Sequence, residues 1–226
     1  MKQNQLIRFG GTFAILLGIA KLFSSAIYVF LPSELRAEVP AATFLPAFAQ
    51  NSSLLITFFW IEALVGFLGV AVVPAFSALV QNEQEGWVKW TSNLASAGFV
   101  ITAVGYTLSI AKLPGIATTF AAGDPSTQAA LAAVWKSSID LFGLWGYGAV
   151  GLWVLVLNIL LLRQSKFPQF LPYLGILLAI LFLLVPIGTI LKIQPILLLA
   201  AGAGAIVGPI WWIWSGSILR NNSTNA

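Results

Sequence analysis

Lys21, Ser24, Ser25 and Tyr28 recur at offsets of three, four and seven, which sets an ammonium, two hydroxyls and a phenol on one face of a helix. The surrounding stretch, Phe9 to Leu31, holds no other charge and is long enough to cross a bilayer, so Lys21 lies inside the apolar layer. Glu62 is the other charge deep within an apolar run. At ~1.5 Å per residue, Lys21 falls about 12 Å from the far edge of a ~30 Å hydrocarbon core, and Glu62 about 14 Å inside the start of its own run. On antiparallel neighbours the two meet at one depth. A lone charge there costs about 2.5–3.5 kcal/mol, which opposite charges on adjacent helices relieve. Such a pair can handle a proton or a solute, with Ser24, Ser25 and Tyr28 as a polar path. Its other reading is a structural pair that sets the register of the first hairpin.

The remaining polar residues read as support. Lys112 and Asp140 end one run and begin the next on the same side, and are expected to form a surface ion pair. Asn93 and Asn158, near span ends, are expected to hydrogen-bond between helices, and Trp60, Trp145 and Trp153 to pack in the core. With no histidine and no cysteine, the usual general base, haem ligand, thiolate and disulfide are excluded. The chain has no HExxH, no GxSxG, no usable GxGxxG and no phosphate loop. No catalytic residue, cofactor or metal site is therefore expected, and the reading leans away from an enzyme.

The elements that position these residues follow from composition. Of 226 residues, 59% are hydrophobic and 8% charged, against about 25% charged in a soluble domain. The apolar residues gather into runs at about 9–31, 53–80, 91–113, 141–162, 169–191 and 196–219. The expected fold is all-α: a single polytopic membrane helix bundle of six transmembrane helices, residues 1–226. An interfacial helix is expected before the fourth span, because Asp124-Pro125 is a helix start and Leu131, Val134 and Trp135 form an apolar face. The first loop, 32–52, is expected to lie on the membrane surface or over the helices through Phe44, Leu45 and Phe48.

In the third span, Thr91, Ala95, Gly98, Thr102, Gly105, Ser109 and Lys112 recur in steps of four and three. Small residues on such a line allow tight packing in lipid, which predicts this helix at the centre of the bundle. Gly204 and Gly208 give the sixth span the same signature. The net charge of +4 is scattered over loops, with no basic run of the kind nucleic acid requires. Arg8, Arg163 and Lys166 lie beside span ends and favour cytoplasmic termini in a prokaryotic inner or plasma membrane.

Gly148 to Pro168 contains Gly151-Leu152-Trp153, Asn158, the basic Arg163 to Lys166 turn and Phe167-Pro168, followed by Leu171 to Gly175. This pattern resembles a family of small six-helix bacterial membrane proteins catalogued as a domain of unknown function. The resemblance implies six helices and no particular activity.

Two functions follow as expectations. One is a non-enzymatic accessory, assembly or stress-related factor that uses its small-residue seams to bind lipid, other membrane proteins or a second copy of itself. The alternative is a small transporter or permease with its site at Lys21 and Glu62. A cavity reaching that pair separates the second from the first.

Overall fold

The computed structural model describes residues 3–36, 39–80, 85–140, 142–163 and 167–222. Lys2, Glu38, Glu83, Leu141 and Lys166 lie outside the described residues. All regular structure among the described residues is helical. The order is α1 (Gln3–Phe30), α2 (Ala41–Gln50), α3 (Ser53–Ser77), α4 (Glu85–Ala122), α5 (Pro125–Val134), a π-helical turn (Leu144–Ala149) continuous with α6 (Val150–Leu161), α7 (Phe170–Leu191) and α8 (Gln194–Asn222). Six of these segments are long and apolar enough to span a membrane: α1, α3, α4, the π-turn with α6, α7 and α8. The chain is an integral membrane helix bundle.

The spans form a closed ring. α1 packs on α3, α3 on α4, α4 on α6 and the π-turn, α6 on α7, α7 on α8, and α8 returns to α1. The third span is thus one member of the ring and not its centre. The reason lies in side-chain volume: Phe76, Phe99, Trp153, Trp211 and Trp212 occupy the interior, with neighbouring ring centroids 4.6–6.4 Å apart. In lipid, helices gain little by exchanging tail contacts for leucine contacts, so shape complementarity of this kind holds the ring together. Trp153 donates its indole N–H to Ser77 Oγ at 3.2 Å, and Ser77 Oγ lies 2.6 Å from Ser92 Oγ, which ties α6, α3 and α4 at one level.

Several elements depart from the spacing-based expectation. α4 begins at Glu85, so Trp87, Lys89 and Trp90 are helical and not in a loop, and it continues to Ala122. Its 38 residues reach about 57 Å, far beyond a ~30 Å core. Hydropathy marks only the apolar part of a helix. The projecting end is covered by α2, which the first-loop residues form: Phe44, Leu45 and Phe48 pack with Leu113, Ala117 and Phe120 of α4, and Leu131 and Trp135 join them. This second small core defines the cap side of the molecule; the start of α1 and the end of α8 lie on the other, termini side. α5 stops at Val134, so Trp135 of its expected apolar face is the residue that ends the helix. Of the three tryptophans expected in the core, only Trp153 is buried, while Trp60 and Trp145 are exposed on the outside of the ring.

Asp124 caps α5 as its acidic side chain and Pro125 imply: the carboxylate accepts from Thr127 N at 2.7 Å and from Ser126 Oγ at 2.9 Å. The Thr127 amide, followed by the Thr127 and Ser126 hydroxyls, holds the Asp124 carboxyl below its ordinary value. A carboxyl lowered in the folded state stabilises α5 above its unfolded-state pKa, and that contribution is lost as pH falls through the lowered folded value. Hydrogen exchange at Ser126–Gln128 should accelerate in Asp124→Ala at neutral pH, and the difference from wild type should shrink in acid; equal exchange rates at neutral pH would remove the cap from the account.

Candidate functional site

α1 and α3 bring Lys21 and Glu62 together. Lys21 Nζ donates to Glu62 Oε1 at 2.9 Å and to Oε2 at 2.8 Å, with 23% of the lysine side chain accessible and 5% of the glutamate. This is the one ion pair found among the described residues. Small residues also bring the flanking helices close: a Cβ on Gly66 of α3 would lie 2.6 Å from Ala103 N and 2.7 Å from Phe99 O of α4, and one on Gly18 of α1 would lie 2.9 Å from Pro209 O of α8.

The pair borders a cavity of about 210 Å³ inside the ring, room for about seven waters at ~30 Å³ each. Its wall includes Thr102, Gly105, Tyr106 and Ser109 of α4, Ser138, Asp140 and Tyr147 of the following segment, and Phe182 of α7. Phe99 and Trp212 form its floor, where the aromatic cluster begins, and exposed Ser138 marks its cap-side rim.

Asp140 is the residue that the sequence placed worst. Its carboxylate accepts from Gly146 N at 2.7 Å and from Trp145 N at 3.1 and 3.2 Å, capping the π-turn. A Cβ on Gly146 would lie 2.8 Å from Thr102 Oγ1 and 3.3 Å from Asp140 Oδ2, so the carboxylate sits at the level of Thr102. Lys112 is ten residues, about 15 Å, further along α4 and exposed, which precludes the expected surface pair. The register set by Ser77–Ser92 and Gly66–Ala103 puts Glu62 level with Tyr106 and Thr107. Asp140 therefore lies about one helical turn deeper than Glu62.

The chain reaches this depth because the fourth span is discontinuous. After α5 the chain descends with no regular structure at Ser137–Asp140 or at Phe142 and Gly143, and it is helical from Leu144. Gly143 makes the turn with φ +68°, a left-handed conformation in which a Cβ is strained. Irregular backbone at membrane depth needs partners other than lipid, and here it lines the cavity. Asp140 supplies the acceptor for the first free amides of the helix.

The other expected site residues are distributed differently. Ser24 is buried and donates back to Lys21 O at 3.1 Å, Ser25 is half-buried, and Tyr28 meets Phe58 with ring centroids 5.8 Å apart. None of the three lines the cavity, whose polar wall comes from α4 and the descending segment. The α4 seam divides: Thr91, Ala95 and Gly98 are buried, with Gly98 against the Trp145 carbonyl, whereas Thr102, Gly105 and Ser109 border the cavity. Gly105 and Gly204 have open space where a Cβ would be, and Gly208 only an ordinary contact with Leu178. Close contacts of α1 with α8 run instead through Gly11 and Gly216. Asn93 is exposed, and buried Asn158 donates to Val154 O of its own helix at 2.7 Å while abutting Gly175 of α7. Asp140, Tyr106 and Tyr147 were missed. The signal available was a carboxylate ahead of Gly143, Gly146 and Gly148, at the head of an apolar helix of only 18 residues.

No metal-ligating cluster occurs among the described residues. No curated protein and no solved structure matches the chain. A family model, described as a domain of unknown function (DUF4386), matches residues 10–216, nearly the whole chain and every spanning helix. The protein belongs to this family of unknown function.

Proposed function

We propose that this protein is a solute-binding membrane protein of the transporter type, with its site in the cavity that Lys21 and Glu62 border. The observation that carries this reading is the cavity itself: three ionisable side chains and several hydroxyls converge at membrane depth on a space with a polar cap-side rim and an aromatic floor. A discontinuous span beside such a site is the arrangement by which transporters present backbone and side-chain polar groups to a substrate. The basic residues near span ends support cytoplasmic termini, which makes the cap side the outer one. The accessory reading needs the pair only as a strut between α1 and α3, and it leaves the cavity and the descending segment without a purpose.

The absence of cysteine makes a direct test clean. In sealed vesicles, Thr102→Cys and Ser109→Cys should react with a membrane-impermeant thiol reagent from the cap side, while Ser77→Cys, beneath the aromatic floor at the termini-side end of α3, should stay unreactive from the cap side. Protection of Thr102→Cys from both sides would return the protein to the accessory class.

A further inference from the structure

We infer that the cavity takes a small organic cation, an ammonium seated between Asp140 and the rings of Tyr106 and Tyr147. This inference rests on the solute-site reading above and adds the class of solute. Three formal charges line the cavity: the ammonium of Lys21 and the carboxylates of Glu62 and Asp140. Lys21 is committed to Glu62 through both carboxylate oxygens, so that pair is internally neutral. Asp140 has no cationic partner among the described residues; its hydrogen bonds come from the Trp145 and Gly146 amides. The start of a helix contributes about half a positive charge, which offsets only part of the carboxylate. A residual negative charge therefore faces the cavity about one turn deeper than the neutral pair. At that depth an uncompensated charge is costly, and a cationic occupant removes the cost.

The rest of the wall selects among cations. Phe99, Tyr106, Tyr147, Phe182 and Trp212 all border the space, and aromatic rings attract a desolvated ammonium while offering apolar area to its substituents. A bare metal ion prefers a cage of oxygens, whereas five rings and a volume of about 210 Å³ suit an alkylated ammonium. The three hydrogen bonds that the Asp140 carboxylate accepts, from two amides, leave acceptor capacity free, since an ionised carboxylate offers about four acceptor sites. The Thr102 and Ser109 hydroxyls donate to Gly98 O and Gly105 O, which leaves their oxygens as acceptors toward the cavity.

The test is calorimetric titration of the full chain in nanodiscs with tetramethylammonium chloride, beside sodium chloride and choline acetate at matched ionic strength. Saturable tetramethylammonium binding is expected, at least tenfold weaker in Asp140→Asn and at least threefold weaker in Tyr147→Leu. Asparagine keeps an acceptor for the Gly146 amide, so Asp140→Asn should fold, and an unchanged melting curve verifies it. Equal affinity in wild type and Asp140→Asn overturns the assignment. Binding of sodium alone, or of acetate in place of the ammonium ions, overturns the organic-cation class while leaving a solute site in place. Absence of all binding with Thr102→Cys still labelled overturns this inference only; absence of binding with Thr102→Cys protected brings down the solute site as well.

Discussion

Glu62→Gln alone is expected to destabilise the folded protein by about 3 kcal/mol, and Lys21→Met with Glu62→Gln to recover most of that loss. The single change leaves the Lys21 ammonium without its carboxylate at membrane depth, and removing one partner of a buried pair typically costs about 3–5 kcal/mol. The lower figure applies because 23% of the lysine side chain is accessible. In the double variant no charge is stranded, and two side chains of similar volume remain between α1 and α3. Stability can be read from denaturant or detergent titration of purified protein. A double variant as unstable as the single one would mean that the pair contributes more than mutual neutralisation. A double variant that folds but no longer binds solute assigns the pair a role in the site; one that folds and binds normally makes it a strut.

The second large effect lies at the α3–α4 contact. Gly66→Ala should cost about 2 kcal/mol, whereas Gly105→Ala should be neutral or stabilising by up to about 1 kcal/mol. The added methyl at position 66 meets Ala103 N at 2.6 Å, Ala103 Cβ at 2.7 Å and Phe99 O at 2.7 Å. Two of these are backbone atoms that no rotamer change can move, so the helices must separate beside Glu62. At Gly105 nothing lies within 4 Å, and replacing a helical glycine lowers the entropy of the unfolded chain. Parallel melting curves of the two variants decide the matter, and equal destabilisation would mean that the α4 seam packs along its whole length.

The membrane class, the six spans and the depth match of Lys21 with Glu62 were legible from the chain alone. Each depends on a local quantity: the length of an apolar run, the rise per residue, and the cost of a charge in hydrocarbon. Opposite charges at one depth on consecutive antiparallel helices have few other partners, and the structure joins them at 2.8 Å. The cap on α5 was equally local, since Asp124 and Pro125 act on the amides that follow them. Helix ends that project beyond the bilayer were not legible, because polar residues carry no hydropathy signal; α4 runs on to Ala122 only because α2 and α5 cover its apolar stripe.

What the tertiary structure alone decided is the interior. Which small residues pack and which border space depends on what stands opposite: Gly98 faces a carbonyl of the π-turn, while Gly105, two turns along the same line, faces the cavity. Ring closure through α1 and α8 depends on the fit of Gly11 to Gly216 across the whole length of the chain, which no spacing within one segment encodes. Asp140 shows the limit most clearly. Read along the sequence, it sits at the edge of a span and belongs at the surface; in the fold, the chain descends before its helix starts, and the carboxylate arrives at the level of Thr102. Hydropathy reports how long an apolar run is and where its charges fall within it. The depth at which the backbone becomes helical is set by the space left between the other helices.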